Sequence, residues 1–115
     1  MITSDEFVLN DFEETASANL TFRGRMLEAF HTEGFQEACE RLLASGRKYL
    51  ILDLRNLENI RSRFIGIIIK LAGDVSKGDR RLAVIASKRV NQMLEMFASD
   101  VGLELRTADS EDSDR

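Results

Sequence analysis

Two periods of hydrophobicity divide this chain into short segments. Ala18, Leu20 and Phe22 fall on one side of an extended run and Asn19, Thr21 and Arg23 on the other, the period of two of a half-buried strand. Gly24 ends that run. The segment from Glu6 to Phe12 predicts an earlier strand, and the link Glu14-Thr15-Ala16-Ser17 is short enough to make the pair a hairpin. Phe35, Ala38, Cys39, Leu42 and Leu43 then recur at helical spacing. They predict an amphipathic helix from Glu33 to Ala44, with Thr32 as its N-cap and Ser45-Gly46 as its close.

The stretch from Tyr49 to Leu71 organises the rest. Leu50-Ile51-Leu52-Asp53-Leu54 is too brief for a helix and predicts a strand buried on both faces. A polar corner, Arg55 to Ile60, leads through Arg61-Ser62-Arg63 into a second apolar block, Phe64 to Ala72. That block predicts a helix reaching Ser76 or Lys77, apolar nearly all round and so covered on more than one side. Lys77-Gly78-Asp79 reads as a turn and Arg81 to Ala86 as a strand. Ser87 caps a helix with Val90, Met93, Leu94 and Phe97 inward, and Leu103 to Thr107 is a short edge strand. Met26, Met93 and Met96 are assigned to filling gaps in the core. The order β-β-α-β-α-β-α-β, with right-handed crossovers, predicts an α/β fold. Its sheet is mixed, an antiparallel N-terminal hairpin joined to mostly parallel core strands, and packs with about three helices.

At 115 residues the chain is long enough for one domain, placed at 1–108, and short for two. The remainder, 109–115, has no apolar residue and is expected to be a disordered acidic tail. No apolar run approaches the roughly 20 residues that span a bilayer, and the opening lacks the basic start and apolar core of a signal peptide. A cytoplasmic protein without direct membrane insertion is expected. The net charge of -4 conceals an uneven spread. Five acids lie in the first 14 residues and four in the last seven, which leaves 15 basic against 11 acidic residues between Arg23 and Arg106. These cations are scattered and the chain has only eight aromatics, seven Phe and one Tyr, so no nucleic-acid partner is expected.

The candidate chemistry is sparse. One cysteine, Cys39, excludes an internal disulfide and, with one histidine, a Cys/His zinc site; it reads as a small buried residue. His31 stands just before a helix with no nucleophile at a characteristic spacing, and is taken as a surface or capping residue. The isolated glycines form neither a dinucleotide fingerprint nor a P-loop. Asp53 ends a strand as a phospho-accepting aspartate would, but Asp5 and Glu6 precede the first strand instead of forming a metal-holding pair on it. No enzyme activity, cofactor or metal is expected. Ser62 is the residue with switching potential. Its simplest role is helix N-cap, and a phosphate there would add roughly -1.5 to -2 charge beside free N–H groups, Arg61 and Arg63.

From Leu20 to Ala108 the chain resembles the STAS domain of bacterial anti-sigma factor antagonists. Leu20-Thr21-Phe22-Arg23-Gly24 is similar to the family's first strand and glycine. Leu52-Asp53-Leu54-Arg55-Asn56-Leu57-Glu58-Asn59-Ile60 is similar to its second block, and Gly78-Asp79-Arg80-Arg81-Leu82-Ala83-Val84-Ile85 to its third, with Val90 to Phe97 as the late helix. Ser62 falls on the family's phospho-accepting serine and Gly66 on its second loop glycine. The usual acid before the serine is replaced by Arg61, the small residue after it by Arg63, and the first glycine by Phe64. The resemblance implies a non-catalytic partner switch. Its partner would be a serine kinase that is also an anti-sigma factor, with Ser62 as phospho-acceptor and Asn59, Arg61, Arg63 and Phe64 binding the partner. The alternative is a STAS subunit of a larger complex, a stress-signalling scaffold or a lipid-transporter accessory subunit, without phosphorylation switching. Self-association is left open.

Overall fold

The chain builds one five-stranded sheet and lays all three of its long helices on the same side. In the computed structural model, which describes residues 6–108, the strands are β1 (Phe7–Phe12), β2 (Ser17–Phe22), β3 (Tyr49–Leu54), β4 (Arg81–Ala86) and β5 (Glu104–Thr107). They lie in that order across the sheet. β1 and β2 form the antiparallel hairpin, with Phe7 opposite Phe22 and Phe12 opposite Ser17. The remaining neighbours are parallel, joined by α1 (Thr32–Ala44), α2 (Ser62–Ser76) and α3 (Lys88–Val101). Because strand order follows chain order, successive right-handed crossovers all return over one face. The row Leu9, Leu20, Leu52, Val84 and Leu105 crosses all five strands in register and packs into the core beneath the helices.

That one-sidedness corrects the reading of β3 as covered on both faces. Leu50, Leu52 and Leu54 are buried under the helices, whereas Ile51 and Asp53 are half-buried and Tyr49 is exposed on the face that carries no helix. α2 is the middle helix. It packs against α1 on one side, α3 on the other and β4 beneath. Its apolar girth is used accordingly: Phe64, Ile65, Ile68, Leu71, Ala72 and Val75 are buried, while Ile67 and Ile69 are half-buried. α3 is the outermost helix, and its inward stripe is narrower than its periodicity suggests. Val90 and Leu94 are buried and Met93 packs partly, but Phe97 is exposed and Ala98 takes the inward place. Met96 and Met26 also point to solvent rather than filling core gaps.

The ends of the elements depart from the expected caps in informative ways. Ser87 does cap α3, its Oγ accepting the Val90 N–H at 3.2 Å. Thr32 does not cap α1. A 3-10 turn, Ala29–His31, runs straight into the helix, so Thr32 is its first helical residue and donates its hydroxyl to the Ala29 carbonyl at 2.7 Å. His31 caps that turn through Nδ1, which accepts the Glu28 N–H at 2.8 Å, but it is not a surface residue. Its ring is buried edge-on against Phe22 and Phe7 because the turn tips it into the core, and Nε2 meets the Glu6 carboxylate at 3.0 Å. Cys39 is buried as expected, and burial pushes its thiol up to about 12. The acidic segment 109–115 and the opening residues 1–5 lie outside the described residues. Among the described residues no helix is long and apolar enough to cross a membrane.

Candidate functional site

The corner between β3 and α2 is a polar loop fixed from below by apolar anchors. Leu57 and Ile60 are buried, and the Leu57 N–H donates to the Leu54 carbonyl at 3.0 Å, which turns the chain immediately after the strand. The outer side of the loop is tied to the connection between β2 and α1. The Glu58 N–H donates to the Arg25 carbonyl at 2.9 Å, and the Arg25 guanidinium pairs with the Glu58 carboxylate. Arg61 lies 3.7 Å from the Glu28 carboxylate, and Arg63 donates to the Thr32 hydroxyl at 3.2 Å. Two loops distant in sequence therefore form one surface at the carboxyl edge of the sheet, where ligand and partner sites of open α/β folds gather.

Ser62 stands at the centre of this surface, one position later than its expected role as N-cap. Arg61 is extended (φ -94°, ψ 157°) and occupies the cap position, its carbonyl accepting the N–H groups of Phe64 at 3.0 Å and Ile65 at 3.1 Å. Arg61 makes no side-chain cap, and no acid lies in the first turn of α2. The positive end of the helix is thus uncompensated from within the helix. Ser62 is exposed, and among the described residues its Oγ has no hydrogen-bond partner. A cap hydroxyl reaches the first-turn N–H groups because its own backbone is extended; a serine already in helical conformation directs its hydroxyl outward instead. Arg61, Ser62, Arg63 and Ala29 line a shallow cleft of about 200 Å³.

Phe64 is the correction among the expected partner contacts. It is 0% exposed and meets Phe35 edge-on, ring centroids 5.6 Å apart, so it belongs to the core and has no surface to offer. Its place in the first turn of α2 directs it against α1. Asn59 is exposed at the loop's crest, its Oδ1 accepting the Ile60 N–H at 2.9 Å. The exposed apolar group on the facing loop is one that the sequence pattern did not single out. Phe30, 80% exposed, rests on the His31 ring at 4.2 Å, next to the Ala29 that lines the cleft. Met26, on the same loop, is half exposed. The available signal was that Phe30 falls off the Phe35–Leu42 stripe, so no helical face was going to bury it.

No family model matches the chain, and no curated protein matches it in sequence. Solved structures match it in fold. A candidate anti-sigma factor antagonist from Thermotoga maritima superposes with a TM-score of 0.69 at 17% identity, covering 93% of this chain and 91% of that one. An anti-sigma factor antagonist from Mycobacterium paratuberculosis superposes with a TM-score of 0.72 at 14% identity, covering 91% and 90%.

Proposed function

We propose that this chain, which has the STAS fold of anti-sigma factor antagonists, works as a regulatory partner switch read at the Ser62 corner. Likeness at these identities carries the fold, and the argument for function rests on the site. The observation that carries it is a serine hydroxyl left exposed and unbonded at a helix start, between two arginines and lining a cleft with them. Phosphate on that oxygen would meet the free N–H groups of the first turn, the helix dipole and the Arg61 and Arg63 guanidinium groups, so the modified form stays folded. A partner seated on Phe30 and Met26 would lose its fit to the added charge and bulk.

Gly66 supports a close-fitting partner. It lies one turn after Ser62, is exposed, and a Cβ built there meets nothing within 4 Å. The fold does not ask for glycine at a helix position where it costs about 1 kcal/mol relative to alanine. A partner's backbone passing over this face would.

The partner we favour is a serine kinase that doubles as an anti-sigma factor. Incubation with ATP and such a kinase should add one phosphate to the intact protein, mapped to Ser62, and Ser62→Asp should abolish pull-down. Undiminished capture by the double variant Ser62→Asp, Arg61→Glu places the binding surface elsewhere. Arg61 favours one further reading. It reverses the charge expected before the serine and is drawn toward Glu28, which suits a constitutive subunit of a signalling scaffold or transporter complex. Stable co-purification with such a complex, without phosphate, would select it.

A further inference from the structure

The turn that precedes α1 is closed by a side chain whose ability to accept a hydrogen bond depends on its charge. The Glu28 N–H donates to His31 Nδ1 at 2.8 Å, three residues past the cap. A capping box ordinarily puts Glu or Gln there, and their oxygens go on accepting throughout the neutral range. An imidazole nitrogen accepts only while it carries no proton. The ring is therefore neutral with its hydrogen on Nε2, which donates it to the Glu6 carboxylate at 3.0 Å. His31 is buried, and the rings of Phe7, Phe22 and Phe30 pack about it.

Protonation undoes this arrangement from within. A proton taken from solvent by the Nδ1 lone pair becomes a second ring N–H, pointed at the N–H of Glu28. The hydrogen bond is lost and two donors are left facing each other, which the ring or the turn must move to relieve. Among the described residues, the charged groups around the ring come from three elements. Glu6, ahead of β1, is already on Nε2; Glu28 shares the turn, with Arg61 3.7 Å from its carboxylate; Glu33 is exposed on the first turn of α1. β1 and β2 contribute the uncharged rings of Phe7 and Phe22. Glu6 can balance a charge on the ring, but it holds the other nitrogen and does not accept from Nδ1.

We propose that His31 is a proton-sensitive positioning residue for the loop from Arg25 to Thr32. Neutral, it fixes Ala29 in the Ser62 cleft and Phe30 against its own ring; protonated, it releases them. Phe30 lies on the His31 ring with centroids 4.2 Å apart, and Ala29 lines the same cleft as Ser62. The loop is bound to the corner through Arg25, Glu28 and Thr32, so a turn that opens at Glu28 alters the surface on both sides of that cleft. Weaker partner capture on acidification rests on the Ser62 reading; the proton-linked opening of the turn does not.

The test needs no partner, so its failure and the failure of the Ser62 reading are separable. The isotope-labelled full chain is followed by nuclear magnetic resonance from about pH 8 to about pH 5, the span over which histidine changes charge. At the upper end the ring nitrogens should report hydrogen on Nε2 and a bare Nδ1. As His31 takes its proton, the Glu28, Ala29 and Phe30 amide signals should move with the same midpoint. Solvent exchange of the Glu28 amide should quicken about tenfold, as the loss of one hydrogen bond predicts. In His31→Asn the side-chain oxygen stands in for Nδ1 and does not titrate, so the Glu28 amide should stay protected and the pH response disappear. Hydrogen on Nδ1 at the upper end overturns the proposal, as does a ring that stays neutral throughout or a Glu28 amide indifferent to its titration. A response that survives in His31→Asn also overturns it, in favour of the Glu6 or Glu28 carboxylate as the titrating group. Should that variant fail to fold, the tautomer and the Glu28 amide of the parent chain still decide.

Discussion

Ser62 and Ser87 occupy the same topological place and are used in opposite ways. Each stands where a parallel strand passes into a long helix, on adjacent strands of the same sheet. Ser87 is extended (φ -64°, ψ 163°) and gives its oxygen to the Val90 N–H, so its chemistry is consumed by the fold. Ser62 lies one residue inside its helix, with Arg61 in the cap position, and its oxygen is left to solvent. The difference comes from loop length. β4 passes to α3 through Ser87 alone, which must therefore cap. Between β3 and α2 the chain takes seven residues, Arg55 to Arg61, anchored on Leu57 and Ile60 and tied to Arg25 and Glu28. A helix held by its surroundings does not need its serine.

Four substitutions put that contrast at risk, each read by denaturant unfolding. Phe64→Ala should cost about 3–5 kcal/mol, since it empties a fully buried ring site between α1 and α2. A loss near zero would mean that the loop, not the core, fixes the start of α2. Ser87→Ala should cost about 1 kcal/mol through the lost cap. Gly66→Ala should move the other way, gaining about 0.5–1 kcal/mol while weakening partner capture, because the added methyl meets nothing within the fold. If capture is unaffected, no partner lies on that face of α2. The smallest effect belongs to Ser62→Pro, expected within about 0.5 kcal/mol of the parent. Proline suits a first helical position, and Arg61 already has the extended backbone that must precede it. A cost as large as that of Ser87→Ala would show that Ser62 is a structural residue after all.

Element identities were legible because the hydrophobic period changes cleanly from two to helical along the chain. β2, α1 and β4 follow their patterns to within a residue or two. The errors concern what an apolar or polar residue meets, which periodicity does not encode. The run Leu50 to Leu54 has the composition of a strand covered on both faces, yet only one face receives helices. Phe64 and Phe30 are the same residue type near the same corner, and one is sealed while the other stands 80% exposed. His31 looked peripheral by position and is buried by a turn that no motif announced. At the site, the sequence marked Ser62 and its flanking arginines, but not the loop from Arg25 to Thr32 that meets them from a distance of about thirty residues.

Local sequence was enough to set the succession of strands and helices, the antiparallel start and the basic flanks of Ser62, since these follow from spacing and charge within a few residues. Only the folded chain decided which side of the sheet is covered, which phenylalanine is presented, and whether a serine beside a helix caps it or stays free. Those outcomes depend on which loops meet across the carboxyl edge. Such contacts join residues far apart in sequence, so no local period records them.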